Sequence, residues 1–271
     1  MIIKELLETL YSGTSPYRSS DASWVDEGYP HTNIVPELLE VMFEFIPPVY
    51  VVEFGSMLGG SAIKMADVIR NMGLPAEIVC VDPFVGDINM WDWEKDAKWK
   101  FLRLTDGVPT IYKRFLANCQ HHGHEQRILP INTTTMIGAG LLHRLNEQGR
   151  IHGMPNYVYL DSAHLPEETF MELKASWALL PEGGILFGDD WSWPAVRADV
   201  ERFAKQYGVD PYLAAALIRQ ESEFDKGAVS RSSARGLMQI MPSTGLDLSR
   251  RLRLIPYSTP RLFEPLVNLR M

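Results

Sequence analysis

The sequence has only two cysteines, Cys80 and Cys119, among its 271 residues. Two cysteines predict neither a disulfide framework nor a metal site built from thiolates. Long apolar runs are also absent from the sequence, so no segment is expected to span a membrane. Charged residues at positions 4, 5 and 8 interrupt the N-terminal stretch, where a secretory signal needs an apolar core. These absences predict a cytoplasmic protein without disulfides.

Positive charge is scarce in the first three quarters of the chain. Residues 1–204 carry 16 Lys and Arg against 28 Asp and Glu, a net charge of −12. Residues 205–271 carry 10 against 6, a net charge of +4, and hold none of the seven histidines or seven tryptophans. An acidic surface repels phosphates, so no nucleic acid is expected as a partner. The shift in composition predicts two segments of different origin.

A glycine-rich turn follows the first strongly apolar run. Residues 49–52 lead through Glu53 into GSMLGG at 55–60 and then into an amphipathic helix. A strand, a tight turn and a helix in this order can present backbone N–H groups to a nucleotide-like ligand, although such a turn can also serve packing alone. The spacing is not GxGxxG, and the next acidic strand end, Asp82, lies 27 residues after Gly55. The pattern therefore favours a nucleotide-like ligand and gives only weak support to NAD.

Apolar segments alternate with amphipathic ones as far as residue 207. The predicted strands cover residues 49–52, 77–81, 127–131, 157–160 and 185–187. This alternation predicts an α/β fold with a doubly wound, mostly parallel, Rossmann-like sheet, whose ligands bind outside the carboxyl ends of the strands. Residues 1–45 add helices and a polar stretch that could be a lid or a solvated loop. The Trp-rich residues 86–99 are expected to form a loop near the strand ends.

Acidic residues end the fourth and fifth predicted strands. Asp161 follows residues 157–160, His164 comes three residues later, and the pair Asp189 and Asp190 follows residues 185–187. Neighbouring parallel strands end at one edge, so these carboxylates are expected to converge, as ligands of Mg²⁺ or a similar divalent cation do. A neutral imidazole beside them could accept a proton from a hydroxyl group. The alternative is that Asp161 caps a helix and the acid pair merely terminates a strand.

Both patterns resemble enzyme families. The glycine turn with Asp82 resembles motif I of class I S-adenosylmethionine-dependent methyltransferases. The DxxH from Asp161 to His164, with paired acids before Trp191, resembles the metal-dependent O-methyltransferases that act on macrolide sugars, the macrocin and mycinamicin type. The resemblance covers about residues 45–204 and leaves the acceptor open. Two strands that usually close the sheet of this family, after a helix predicted over residues 195–207, are not found in the sequence.

The resemblance assigns roles to individual residues. The implied cofactor-contacting residues are Glu53, Gly55, Ser56, Gly59, Asp82 and Asp161, the implied magnesium ligands are Asp161, Asp189 and Asp190, and the implied base is His164.

A different signature begins near residue 205. The segment RQESEFDKGAVSRSSARGLMQIMP, residues 219–242, resembles the opening of a soluble lytic transglycosylase domain of the goose-lysozyme type, with Glu221 in the position of the catalytic acid. The resemblance implies that Glu221 protonates a glycosidic oxygen of peptidoglycan, which needs an apolar setting around the carboxyl group. A helix is expected over residues 211–222. Only about half of such a domain is expected in residues 205–271, so we expect Glu221 to be ionised and inactive.

Three functions remain open at this point. The first is S-adenosylmethionine-dependent, divalent-metal-assisted methyl transfer to a small hydroxylated acceptor by a domain of residues 1–204. The second is peptidoglycan cleavage through Glu221 by a small all-α, lysozyme-like fragment, residues 205–271. The third is a fusion protein without activity. The expected partners are a small-molecule acceptor and, for the second function, peptidoglycan; the sequence is compatible with an oligomer.

Overall fold

The structure, a computed structural model, describes residues 1–26, 32–92, 101–208, 229, 233–235, 240–252, 256–264 and 267. The helices and strands are α1 (Ile2–Leu10), α2 (Pro36–Phe45), β1 (Val51–Phe54), α3 (Gly60–Asn71), β2 (Ile78–Val81), α4 (Ile88–Asp92), α5 (Ile111–His121), β3 (Ile128–Ile131), α6 (Thr135–Glu147), β4 (Tyr157–Leu160), α7 (Glu168–Leu179), β5 (Ile185–Gly188), α8 (Pro194–Tyr207) and α9 (Pro242–Arg251). Short 3-10 helices cover Pro16–Ser19, Ala22–Trp24 and Thr259–Phe263. None of the described helices is long and apolar enough to cross a membrane.

Five parallel strands form a single sheet in the order β3-β2-β1-β4-β5. The strand order reverses between β1 and β4, and such a reversal opens a crevice at the carboxyl ends of the two strands. The predicted α/β fold, with a doubly wound parallel sheet of about five strands, is confirmed. The reversal places the glycine turn after β1 directly beside the acidic end of β4.

Helices cover both faces of the sheet. All four residues of β1, β2, β3 and β4 are buried, as expected for strands enclosed on both sides. Successive strand residues point to opposite faces, so Val52 and Phe54 join one apolar core while Glu53 points to the other face, where it contacts Ser61 of α3. The helical residues of the first core are Ile2, Ile3, Leu6, Ala139, Leu142, Leu145, Phe170, Leu173, Leu179 and Phe203.

The ladder of backbone hydrogen bonds continues one residue beyond the strands. The residues that follow β2, β1, β4 and β5 donate N–H groups to carbonyls of neighbouring strands: Asp82 to Ile131 (3.2 Å), Gly55 to Val81 (3.1 Å), Asp161 to Phe54 (2.9 Å) and Asp189 to Leu160 (3.2 Å). These four residues therefore form one row along the carboxyl edge, in the order Asp82, Gly55, Asp161, Asp189. Gly55 adds no side chain to this row, and the backbone of Asp161 and Ser162 lies where its Cβ would be.

The chain divides into two compact units. The first comprises Met1–Leu39 and Ile46–Phe203, and the second comprises Glu40–Phe45 and Ala204–Met271. In the second unit the Tyr257 hydroxyl donates to the Pro242 carbonyl (3.1 Å), and Leu262 is buried. The domain boundary between residues 204 and 205 stays a prediction, and the helix expected over residues 211–222 lies outside the described residues.

Close backbone contact requires glycine at position 55. Gly55 has φ +83°, and a Cβ added to it would lie 2.0 Å from the carbonyl oxygen of Asp161. Such a contact would push β1 and β4 apart at the point where the strand order reverses.

The substitution Gly55→Ala is therefore expected to lower the free energy of unfolding by about 2 to 5 kcal/mol, combining left-handed strain with a backbone clash. Gly73→Ala is a matched control, because Gly73 also has a positive φ (+67°) but open space around it; its cost should be about 1 to 2 kcal/mol. Urea unfolding of the full chain measures both, and equal losses would contradict the proposed contact.

Candidate active site

Asp82 holds the glycine turn through two backbone N–H groups of the turn and accepts a third hydrogen bond from outside it. Its Oδ2 accepts from Ser56 and Met57, both at 2.8 Å, and its Oδ1 accepts from Phe84 at 2.5 Å. Burial raises the pKa of Asp82, and the three N–H donors oppose that rise. The sequence predicted Asp82 as a cofactor contact; in the structure its carboxylate also fixes the shape of the turn.

Glu53 lies beneath the turn and is fully buried. The Ser61 hydroxyl and the Cys80 thiol both donate to its carboxylate, the thiol at 3.2 Å. Burial raises the pKa of Glu53, and hydrogen bonds lower it in part. Glu53 therefore ties β1 to β2 and to the start of α3.

The backbone N–H groups of the turn are largely used inside the protein. Those of Gly55, Ser56, Met57 and Gly59 donate to Val81, to Asp82 twice, and to Ser56. A bound ligand would therefore contact atoms of the turn other than these four N–H groups. The assignment of cofactor contacts to Glu53, Gly55, Ser56, Gly59, Asp82 and Asp161 stays a prediction.

Three side chains meet at the end of β4. One possible ligand atom each from Asp161, His164 and Asp190 lies within 4.8 Å of the others. Nε2 of His164 lies 2.5 Å from Oδ2 of Asp190, and the Trp193 ring packs against the imidazole with 4.8 Å between ring centroids. Two carboxylates and an imidazole at this separation fit a divalent cation.

Asp87, which the sequence did not single out, is the second partner of His164. Its Oδ2 lies 2.6 Å from Nδ1 of His164, and its Oδ1 accepts from the Met90 N–H at 3.0 Å. This second bond begins α4, so the expectation of a loop over residues 86–99 is wrong for Ile88–Asp92. Residues 93–99 lie outside the described residues. An acid just before a short helix was the available signal, because acids often cap helices.

Asp189 faces a different set of partners. Its Oδ1 accepts from the side-chain amide of Asn33 at 2.8 Å, and its Oδ2 accepts from the Tyr159 hydroxyl at 3.1 Å. The structure thus brings Asp161 and Asp190 together with His164, while the oxygens of Asp189 are bound by neutral donors. The set of three magnesium ligands stays a prediction.

The ionisable groups of this cluster shift one another's pKa values. Burial and repulsion from Asp190 raise the pKa of Asp161 well above its usual range. Burial lowers the pKa of His164, but hydrogen bonds to Asp190 and Asp87 outweigh it and raise this pKa to about 10. Each ring nitrogen of His164 thus lies beside a carboxylate, and this setting favours the protonated form of the imidazole. Its role as the base stays a prediction, and Glu221, the other predicted catalytic residue, lies outside the described residues.

The parallel sheet, the glycine turn and the acidic residues at the strand ends define an α/β domain of the kind that binds nucleotide-like ligands. The chain belongs to the methyltransferase domain family, whose model matches residues 52–191, just over half of the sequence. A second family model, the transglycosylase SLT domain, matches residues 200–271. These matches confirm the resemblance of the first segment to methyltransferases, the resemblance of the last segment to transglycosylase SLT domains, and the prediction of an S-adenosylmethionine-dependent methyltransferase.

Individual proteins are also similar to this chain, some over a short segment and others over most of its length. Membrane-bound lytic murein transglycosylase C of Edwardsiella ictaluri is 51% identical over 45 residues, which are 17% of this chain; the match spans only 12% of that relative. Cofactor-bound Rv0187 from MTB is 16% identical with a TM-score of 0.46, covering 77% of this chain and 85% of that chain. The O-methyltransferase from Bacillus cereus in complex with SAH is 11% identical with a TM-score of 0.45, covering 78% and 80%.

Asp82→Asn tests the role of this carboxylate in shaping the turn. The amide replaces one acceptor oxygen by a donor, so the free energy of unfolding should fall by about 2 to 4 kcal/mol. The affinity for S-adenosylhomocysteine should fall at least about tenfold, since a tenfold change corresponds to about 1.4 kcal/mol. Urea unfolding and calorimetry measure the two effects. Asp92→Asn, at an exposed position of α4, is the control; equal behaviour of the two variants would contradict this role.

Proposed function

We propose that the chain transfers a methyl group from S-adenosylmethionine to the hydroxyl group of a small acceptor, with the assistance of a divalent cation. The observation that carries this proposal is the adjacency of two features at one edge of the sheet. The glycine turn fixed by Asp82 follows β1, and the cluster of Asp161, His164 and Asp190 begins at the end of β4, the neighbouring strand. The family match over residues 52–191 supports methyl transfer as the chemistry.

The chain's contribution to cofactor binding is the carboxyl edge of the sheet at the end of β1. Gly55 lies there between Asp82 and Asp161 and adds no side chain to the row, while the backbone of Asp161 fills the place where its Cβ would be. When bound, S-adenosylmethionine supplies a sulfonium methyl group: the acceptor oxygen forms a bond to the methyl carbon, the carbon–sulfur bond breaks, and sulfur keeps the electron pair. The glycine turn, Asp82 and Asp161 would hold the two reactants in line. This alignment is the main source of acceleration in such a displacement.

The chain's contribution to acceptor activation is the acidic cluster. Asp161 and Asp190 would hold the divalent cation, because their carboxylates lie together beside the imidazole of His164. The cation would lower the pKa of a hydroxyl group bound to it, and the hydroxyl proton would pass to solvent water before methyl transfer. The indole of Trp193 packs on the same imidazole and shields one of its faces from water.

Calorimetry with S-adenosylhomocysteine tests the binding half of this proposal. One molecule should bind per chain with a dissociation constant in the micromolar range, about −8 kcal/mol. The methyl-transfer half is tested with radiolabelled S-adenosylmethionine and a panel of phenols and sugars, with and without EDTA. Transfer should require a divalent cation and should fall at least about 100-fold in Asp161→Asn, which removes about 2.7 kcal/mol of transition-state stabilisation.

Asp92→Asn is the matched control for Asp161→Asn and should retain wild-type transfer. Absence of any heat with S-adenosylhomocysteine would contradict the cofactor proposal. Methyl transfer that is unaffected by EDTA would contradict the requirement for a cation but not the cofactor proposal.

A second candidate function rests on the SLT family match over residues 200–271. We propose that Glu221, in the RQES sequence, would act there as the acid that protonates the glycosidic oxygen of peptidoglycan. If the segment carries this activity, the full chain clears a peptidoglycan suspension and Glu221→Gln abolishes clearing. Glu223→Gln, two residues away in the sequence, is the control and should clear normally. Equal clearing by the wild type and Glu221→Gln would contradict this assignment.

A further inference from the structure

The side chains around the proposed cation differ from the three carboxylates that the sequence predicts. We propose that Asp161, Asp190 and Nε2 of His164 bind the cation, and that Asp87 holds His164 in the ligating orientation. This proposal rests on the methyltransferase function proposed above and specifies its cation site. It predicts a transition-metal ion such as Mn²⁺ or Zn²⁺ rather than Mg²⁺, and it makes His164 a ligand rather than the base.

The first support is the orientation of the imidazole. Nδ1 of His164 lies 2.6 Å from Asp87, which leaves Nε2 as the ring nitrogen directed toward Asp190. Histidines that bind metals commonly donate their other ring N–H to a carboxylate, which fixes both the tautomer and the direction of the ligating nitrogen. Asp87 occupies the position of that carboxylate.

Asp87 is itself fixed, so the imidazole has little freedom to turn. Asp87 accepts from the Met90 N–H at 3.0 Å and from the Asn89 side chain at 3.2 Å. The ring of Trp193 packs on His164 from another element of the chain. His164 is therefore held in one orientation by Asp87 and by the ring of Trp193.

The second support is the occupation of Asp189. Its two oxygens accept hydrogen bonds from Asn33 and from Tyr159, whose side chain is buried. Turning Asp189 toward a cation would remove this partner from a buried hydroxyl group, which is unfavourable. Asp189 is therefore better suited to position the end of β5 than to bind the ion.

The chemistry of the donors indicates the class of metal. Mg²⁺ prefers six oxygen ligands in octahedral geometry, whereas Zn²⁺, Mn²⁺ and other first-row ions accept an imidazole nitrogen alongside carboxylates. Three protein ligands leave positions open for water or for an acceptor hydroxyl group, as catalytic metal sites require. The set of Asp161, Asp190 and His164 has this composition.

The test uses Mn²⁺ as the probe, added to the full chain, with binding followed by calorimetry and by pulsed electron paramagnetic resonance. One Mn²⁺ should bind per chain, and its spectrum should show coupling to a nitrogen nucleus. His164→Gln should abolish that coupling and weaken binding at least tenfold. Asp87→Asn should weaken binding about 10- to 100-fold, the usual effect of removing the hydrogen-bond partner of a ligand. Asp189→Asn should change the affinity less than threefold.

His143→Gln is the matched control, because His143 is an exposed histidine on α6; it should leave both the affinity and the nitrogen coupling unchanged. Absence of Mn²⁺ binding, absence of nitrogen coupling, or loss of binding in Asp189→Asn but not in His164→Gln would overturn the proposal. S-adenosylhomocysteine binding is measured on the same samples. Binding of the cofactor without the nitrogen signature would refute this ligand set alone, whereas the nitrogen signature without cofactor binding would refute the methyltransferase function.

Discussion

The close contact between Gly55 and the backbone of Asp161 is the constraint on which the rest of the site depends. The two residues follow adjacent strands at the point where the strand order reverses, and the N–H of Asp161 donates to the carbonyl of Phe54. Because a Cβ at position 55 would overlap the Asp161 carbonyl, only glycine allows both strands to end side by side. This contact places the glycine turn beside the end of β4, where the acidic cluster begins.

Two aspartates in the same row acquire different roles from their partners. Asp82 accepts hydrogen bonds from three backbone N–H groups, which stabilise its carboxylate, and the two from Ser56 and Met57 hold the turn. Asp161 lies next to Asp190, and its burial together with the repulsion from Asp190 raises its pKa. A buried carboxyl group whose ionisation is opposed by a second acid gains most from a positive charge nearby. The row thus combines a structural acid with one suited to bind a cation.

The sequence predicted the fold more completely than the site. Strand and helix positions followed from apolar runs and periodicity, and all five predicted strands are present. The first covers Val51–Phe54, two residues later than the predicted 49–52, and so includes Glu53. The acids at the ends of β4 and β5 were also identified, because parallel strands end at one edge. The partners Asp87, Asn33 and Tyr159 were missed, since their contacts depend on loop geometry and on register across the sheet. The sequence alone could not show that the oxygens of Asp189 accept from Asn33 and Tyr159.

The central claim is that one edge of the sheet holds both a cofactor and a cation. Crystals of the full chain grown with S-adenosylhomocysteine and Mn²⁺ test it most directly, through anomalous scattering measured at the manganese edge. The account predicts S-adenosylhomocysteine against the turn at residues 55–59 and one anomalous peak in contact with Asp161, His164 and Asp190. S-adenosylhomocysteine bound elsewhere, or an anomalous peak away from these three side chains, would contradict it.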